Sequence, residues 1–323
     1  MTDVTVGRIM AIIAVVSVVF IGTSSAHAQK DAPKDPPEDF PSDFTEERVV
    51  IDAGDISLGA SLYRPRSVSG DVPLMVIGHG SAPTDRTGVG FYTHNALNMG
   101  VAVLSFDKRG IGVSTGEYVR FSVDGSIDLF DALANDMVAA VEWAATRPGI
   151  DAARIGLFGG SQAGWIMPLA ASRTDLVKFI VIGEGTPVSA GEEAVHGETI
   201  RRYRGSEFDN SVTPAEIAQA DAALEAFTGE NGFDPLPVLK SLDIPILWLF
   251  GLRDAVIPVT PSLSRLERLT AAGRGNHTVF VFPFGDHNFR NVATGRRYDI
   301  QRPIMTWMIE NGFAPSGDGH AVE

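Results

Sequence analysis

Apolar residues in this chain come in short unbroken runs rather than in alternation with polar ones. Residues 72–77, 101–106, 155–158, 179–182, 244–250 and 279–282 are such runs, and several end directly on glycine. A continuous apolar run of this length predicts a strand buried on both faces. Between two of them Phe130, Leu133, Met137, Val141 and Ala144 keep near-helical spacing, and Pro148-Gly149 stops the helix. A second helix-compatible stretch follows residue 162 and reaches about Arg173. At the front, 49–51 and 58–62 flank Ala53-Gly54-Asp55, the pattern of an opening hairpin. Buried strands alternating with helices predict a mostly parallel sheet with helices on both faces. In such sheets reactive groups collect at the carboxyl ends of the strands.

One connection breaks the pattern. More than fifty residues separate the run at 179–182 from the one at 244–250, too many for an ordinary crossover. Thr213-Pro214-Ala215-Glu216 reads as a capping box with proline at the first helical position. Ile217, Ala220, Leu224 and Phe227 then share one helical face. Residues 190–243 are therefore expected to be a helical cap over the active edge, with a peripheral helical insertion as the alternative. The stripe could line an acyl pocket or pack the cap down. Glu192, Glu193, Glu198, Glu207 and Asp209 also fall here, but Arg201, Arg202 and Arg204 interrupt them, so no pocket of single sign is implied.

The chain ends differ from the middle. Arg8 precedes an apolar run over 9–22, and Ala26-His27-Ala28 is a small-residue cleavage site, so residues 1–28 read as a secretory signal peptide. An uncleaved amino-terminal anchor is the alternative. Residues 29–45, with Pro33, Pro36, Pro37 and Pro41, read as a proline-rich linker, which leaves 46–316 as the folded domain. No stable membrane anchor is expected after cleavage, and the expected location is periplasmic or secreted. The 323 residues carry a net charge of -14, which argues against a nucleic-acid partner. There is no cysteine, which excludes disulfides and thiolate metal sites. No feature fixes an oligomeric state.

Candidate chemistry centres on 154–165, where an apolar run meets Gly159-Gly160-Ser161-Gln162-Ala163 and then a helix. A strand turning sharply into a helix can hold a serine in a strained conformation with its hydroxyl exposed, and small neighbours let the two arms approach. Ala163 stands where glycine is usual. A serine hydroxyl needs a base, and the base a carboxylate to orient it. Ser161, Asp254 and His287 follow three separate strands in that order. No metal-ligand pattern, nucleotide loop or cofactor motif accompanies them.

With these pieces in place the sequence resembles the α/β-hydrolase superfamily, near its dienelactone-hydrolase and serine-aminopeptidase groups. The resemblance covers roughly 46–313. It is carried by His79-Gly80, Asp107-x-Arg109-Gly110-x-Gly112-x-Ser114, the serine turn, Phe250-Gly251-x-x-Asp254-x-x-Ile257-Pro258 and Gly285-x-His287. It implies an α/β-hydrolase fold with a helical cap, Ser161 as nucleophile, Asp254 as acid and His287 as base. It also implies an oxyanion hole from the backbone N–H groups of Gln162 and Ser81. Glu184, just past the strand after the serine turn, is an alternate acid or a polar pocket wall. His79 and Arg109 are expected to be structural, Arg109 by bonding carbonyls beneath the site. Asp286 adjoins His287 but is poorly directed to orient it. The expectation is a serine hydrolase acting on a small-molecule ester through an acyl-enzyme, with no cofactor. The alternatives are a peptidase, aminopeptidase or amidase, and a non-catalytic binding protein on the same fold.

Overall fold

The computed structural model describes residues 43–66, 70–204 and 212–315. The expected signal peptide, nearly all of the linker, and Glu207 and Asp209 lie outside them. The sheet begins inside the expected linker: β1 (Phe44–Asp52) pairs antiparallel with β2 (Ser57–Pro65), the predicted hairpin. Six further strands follow: β3 (Val72–Gly78), β4 (Ala102–Phe106), β5 (Ile150–Gly160), β6 (Val177–Gly183), β7 (Ile246–Gly251) and β8 (His277–Phe282). The order across the sheet is β1-β2-β4-β3-β5-β6-β7-β8. β2 meets β4 antiparallel, and every pair from β4 to β8 is parallel. β3, β4 and β7 are buried at every position, as unbroken apolar runs require when helices cover both faces.

On one face α2 (Ser126–Ala145), α3 (Ala163–Ala171) and α7 (Val259–Ala271) pack into the larger core through residues such as Phe130, Met137, Ile166 and Leu266. On the other, α1 (Gly90–Asn98) and α8 (Gln301–Glu310) bury Ala96, Leu97, Ile304 and Trp307 against Phe158 and Phe179. The insertion contains α4 (Ala190–Arg204), α5 (Pro214–Glu225) and α6 (Leu236–Ser241). Its two ends are tied together, Ala190 N–H to Phe233 O and Gly191 N–H to Asn231 O. Leu239 and Leu242 join the main core, so α6 is part of the helical layer and the protruding portion closes near residue 233. The capping box at Thr213 is present in both directions. Ala220, with Ile217 against it, packs with Ile200 of α4 and with Val212 and Ala255. Ile217 and Ala220 thus hold the cap together and onto the loop of Asp254 instead of lining the Ser161 cavity. Among the described residues no helix is long and apolar enough to cross a membrane.

The parallel register brings Gly160 opposite Gly183 at the carboxyl edge. A Cβ added at Gly160 would collide with the Tyr92 hydroxyl and the Gly183 carbonyl. Gly160→Ala is therefore expected to destabilise the fold by about 3 kcal/mol. A thermal melt should show a midpoint lowered on the order of 10 °C, and an unchanged midpoint would refute this packing account. The departure at Ala163 is accommodated from the neighbouring strand. A Cβ on Gly78 would lie 2.9 Å from the Ala163 methyl, so glycine on β3 makes the room that glycine at 163 would otherwise make.

Candidate active site

Ser161 follows β5 with φ of 56°, a left-handed conformation that costs a non-glycine residue about 1–2 kcal/mol. Its N–H donates to Gly183 O at 3.1 Å, and its carbonyl accepts from Gly164 N–H at 2.8 Å as α3 begins. Strand, strained serine and helix are thus locked together, with the hydroxyl turned into a cavity of about 70 Å³. Gln162 and Ser81 line the same cavity. Neither the Gln162 nor the Ser81 N–H has a protein acceptor among the described residues, so both are free to meet a developing oxyanion. Phe121, Trp165, Val256 and Ile257 form the apolar walls. Phe121 and Trp165 are stacked with ring centroids 5.9 Å apart.

His287 lies in the loop after β8, and its Nδ1 is 2.8 Å from Asp254 Oδ2. The other Asp254 oxygen accepts N–H bonds from Val256 at 2.7 Å and Ile257 at 2.9 Å. These bonds fix the carboxylate without help from the imidazole. Burial alone would depress His287, but the charge and hydrogen bond of Asp254, with smaller contributions from Glu184 and Glu193, push it up to about 9. With Nδ1 committed to Asp254, Nε2 is the nitrogen left for proton transfer. The Ser161 hydroxyl makes no hydrogen bond among the described residues, including to His287. In ligand-free active sites this contact often closes only when substrate arrives.

Glu184 follows β6 with φ of 52° and is buried, with Oε1 unpartnered. Burial pushes its carboxyl well above the usual range, opposed by His287 and by the Phe289 N–H. The hydrogen bond to the His287 ring belongs to Asp254 and not to Glu184. Asp286 is turned into its own loop, accepting from Asn288 and Arg290 N–H. His79 Nε2 bonds Phe106 O at 2.6 Å beneath the sheet edge, and burial lowers it to about 4. Arg109 differs from expectation in its partner. It grips the Asp136 carboxylate on α2 with contacts of 2.8 and 2.6 Å and reaches a carbonyl only at 3.4 Å.

The two adjacent cap glutamates part company. Glu192 pairs with Arg265 of α7 through bonds of 2.9 and 2.6 Å and also accepts from Ser189 N–H, so it anchors the cap root. Glu193 lines the Ser161 cavity. Burial, opposed by His287, raises it to about 7. Sequence periodicity could not separate them, since the distinction depends on Arg265, more than seventy residues away. Phe121 was also hidden, because it sits in an irregular loop without periodicity.

Residues 90–311 match the prolyl oligopeptidase family of S9 peptidases. The chain belongs to the prolyl oligopeptidase family. It is a serine hydrolase of the α/β-hydrolase fold. This family member is similar to probable dipeptidyl-aminopeptidases B from fungi. It is 26% identical to the Phaeosphaeria nodorum protein over 231 residues, covering 70% of this chain and 22% of that one. It is 28% identical to the Fusarium vanettenii protein over 234 residues, covering 71% and 23% respectively. The chain thus spans less than a quarter of the length of the curated relatives it matches. Among solved structures, an esterase from Pyrococcus furiosus superposes with a TM-score of 0.60 at 16% identity, covering 90% of this chain and 98% of that one. An acylaminoacyl peptidase from Pyrococcus horikoshii gives 0.59 at 17% identity, covering 88% and 44%. These two likenesses bear on the fold.

Proposed function

We propose that this prolyl-oligopeptidase-family hydrolase cleaves short-chain carboxylic esters through an acyl-enzyme on Ser161. The observation that carries the reading is the cavity of about 70 Å³ in which Ser161, Gln162 and Ser81 face apolar walls of Phe121, Trp165 and Ile257. That shape suits an acyl group of a few carbons beside an oxyanion hole. His287 takes the Ser161 proton through Nε2 as the oxygen attacks the carbonyl, while Asp254 holds Nδ1–H and stabilises the imidazolium. The tetrahedral oxyanion sits on the N–H groups of Gln162 and Ser81. His287 returns the proton to the departing alcohol, then activates water to release the acid. The secretory reading of residues 1–28, which would put this activity outside the cytoplasm, rests on their sequence pattern.

A second reading has a specific observation behind it. Glu193 brings a carboxyl to the Ser161 cavity, and a carboxylate there could hold the ammonium of an amino-terminal peptide substrate. Relatives named as dipeptidyl-aminopeptidases support the same direction. A panel of p-nitrophenyl acetate, p-nitrophenyl butyrate and aminoacyl p-nitroanilides, each rate divided by its uncatalysed rate, separates the two. Larger enhancement on the esters, little changed by Glu193→Gln, is expected. Larger enhancement on the anilides, lost in Glu193→Gln, would move the assignment to an aminopeptidase.

A further inference from the structure

Lys108 stands just past β4 with 3% of its surface exposed. Its ammonium donates to Gly80 O at 2.7 Å, to Gln162 Oε1 at 3.1 Å and, at longer range, to Ala82 O at 3.4 Å. These acceptors use its three protons, and all are neutral. Among the described residues no carboxylate pairs with it. The neighbouring Asp107 is taken by Arg86, at 2.6 Å, and by the Val113 N–H, at 2.9 Å. The remaining groups that face it are the His79 imidazole, from the end of β3, and the Tyr118 ring, whose centroid is 5.7 Å away. A buried ammonium without a counter-ion is costly, and methionine would fill the space without that cost.

Two of its acceptors are tied to the oxyanion donors, one through a shared peptide and one through a shared residue. Gly80 O and Ser81 N–H are the two ends of one trans peptide and point in opposite directions. Fixing the carbonyl on Lys108 therefore fixes the direction of the Ser81 N–H. Tyr118 Oη secures the following peptide by donating to Ser81 O at 2.8 Å. The other acceptor is the side chain of Gln162, whose own N–H is the second donor. We propose that Lys108 is a positioning residue of the oxyanion hole, clamping the Ser81 and Gln162 donors together and setting an uncompensated positive charge behind them. The proposal rests on the reading of Ser161 as the nucleophile. It explains why a cation is kept where hydrogen bonding alone could be met by a neutral group.

Burial lowers Lys108 to about 8 in the free protein. A negative oxygen formed on Ser161 should reverse part of that shift. The sequence has five lysines, so side-chain NMR titration of lysine-labelled protein can follow each one. In the full chain, titrated free and after adduct formation with a short trifluoromethyl ketone, one lysine should rise by about one pH unit or more, since each unit reflects about 1.4 kcal/mol of interaction with the new charge. The other four should not move. Lys108→Met should abolish that resonance, lower kcat about a hundredfold while changing KM by less than about threefold, and weaken the ketone by the factor lost in kcat/KM. A Ser161 adduct that leaves every lysine unmoved would overturn the proposal, as would a folded Lys108→Met with undiminished kcat. If that variant does not fold, the wild-type titration decides alone. If the ketone forms no adduct, the nucleophile reading itself fails and takes the proposal with it.

Discussion

Ser161→Ala is expected to lower turnover on the order of a millionfold while leaving the fold intact. The hydroxyl makes no hydrogen bond among the described residues, so its removal orphans no buried partner. The turn itself is held by backbone bonds, Ser161 N–H to Gly183 O and Gly164 N–H to Ser161 O, which alanine retains. The positive φ is no harder for alanine than for serine, so the thermal midpoint should stay close to that of the parent. On the proposed mechanism alanine lacks the nucleophile, and with it the covalent route. The residual rate should come from the Gln162 and Ser81 donors acting on a bound ester. A fluorophosphonate probe provides the direct measurement. It should label the parent at Ser161 by peptide mapping and leave the variant unlabelled, and equal labelling of both would remove Ser161 from the mechanism.

Asp254→Asn should cost roughly ten-thousandfold in turnover, because an amide in place of the carboxylate allows the wrong imidazole tautomer. Glu184→Gln should cost far less, since the His287 Nδ1 is bonded to Asp254 and not to Glu184. The two variants together assign the acid, and a reversal of their effects would assign it to Glu184. The pH profile adds a sign. The base must be neutral to accept a proton, so in the parent kcat/KM climbs as pH rises toward the elevated His287 value of about 9. The main group raising that value is Asp254. Without its charge the desolvation of a buried imidazole dominates, and the acid limb of the residual activity should move to lower pH. A variant with the same acid-side midpoint as the parent would mean that Asp254 does not set the protonation of His287.

Much of this site was legible because its chemistry is local to strand ends. The runs at 72–77, 155–158, 179–182 and 244–250 became strands, and the residues just past them are the ones that meet. The cap was legible as a length anomaly with a capping box. Other features were hidden for physical reasons. α1 buries Thr93, His94 and Asn95 along with its apolar residues, so it carries no clean apolar stripe. β5 starts at Ile150, five residues before its apolar run, because its early part includes exposed Ala152 and Ala153 and pairs only loosely with β3. The resemblance already named Asp254 as the acid with Glu184 as the alternate, and the loop geometry separates them, since both follow strands and only Asp254 reaches Nδ1. Lys108 lay inside a motif read for its glycines and its arginine. Its role depends on Gly80 and Gln162, which the fold brings to it from two other strand ends.

The strand order also bears on how activity is acquired during folding. Ser161 leaves the middle of the sheet, whereas His287 follows β8, the last strand in sequence and one edge of the sheet. On the proposed mechanism the base is therefore in place only when β7, carrying β8, has docked on β6, a parallel pairing of residues more than sixty apart in sequence. Non-local pairings of this kind form slowly. Regain of catalysis after dilution from denaturant thus times the docking of the carboxyl-terminal strands. Far-ultraviolet circular dichroism, which sees helices such as α2 and α3 form locally, times an earlier event in the same molecule.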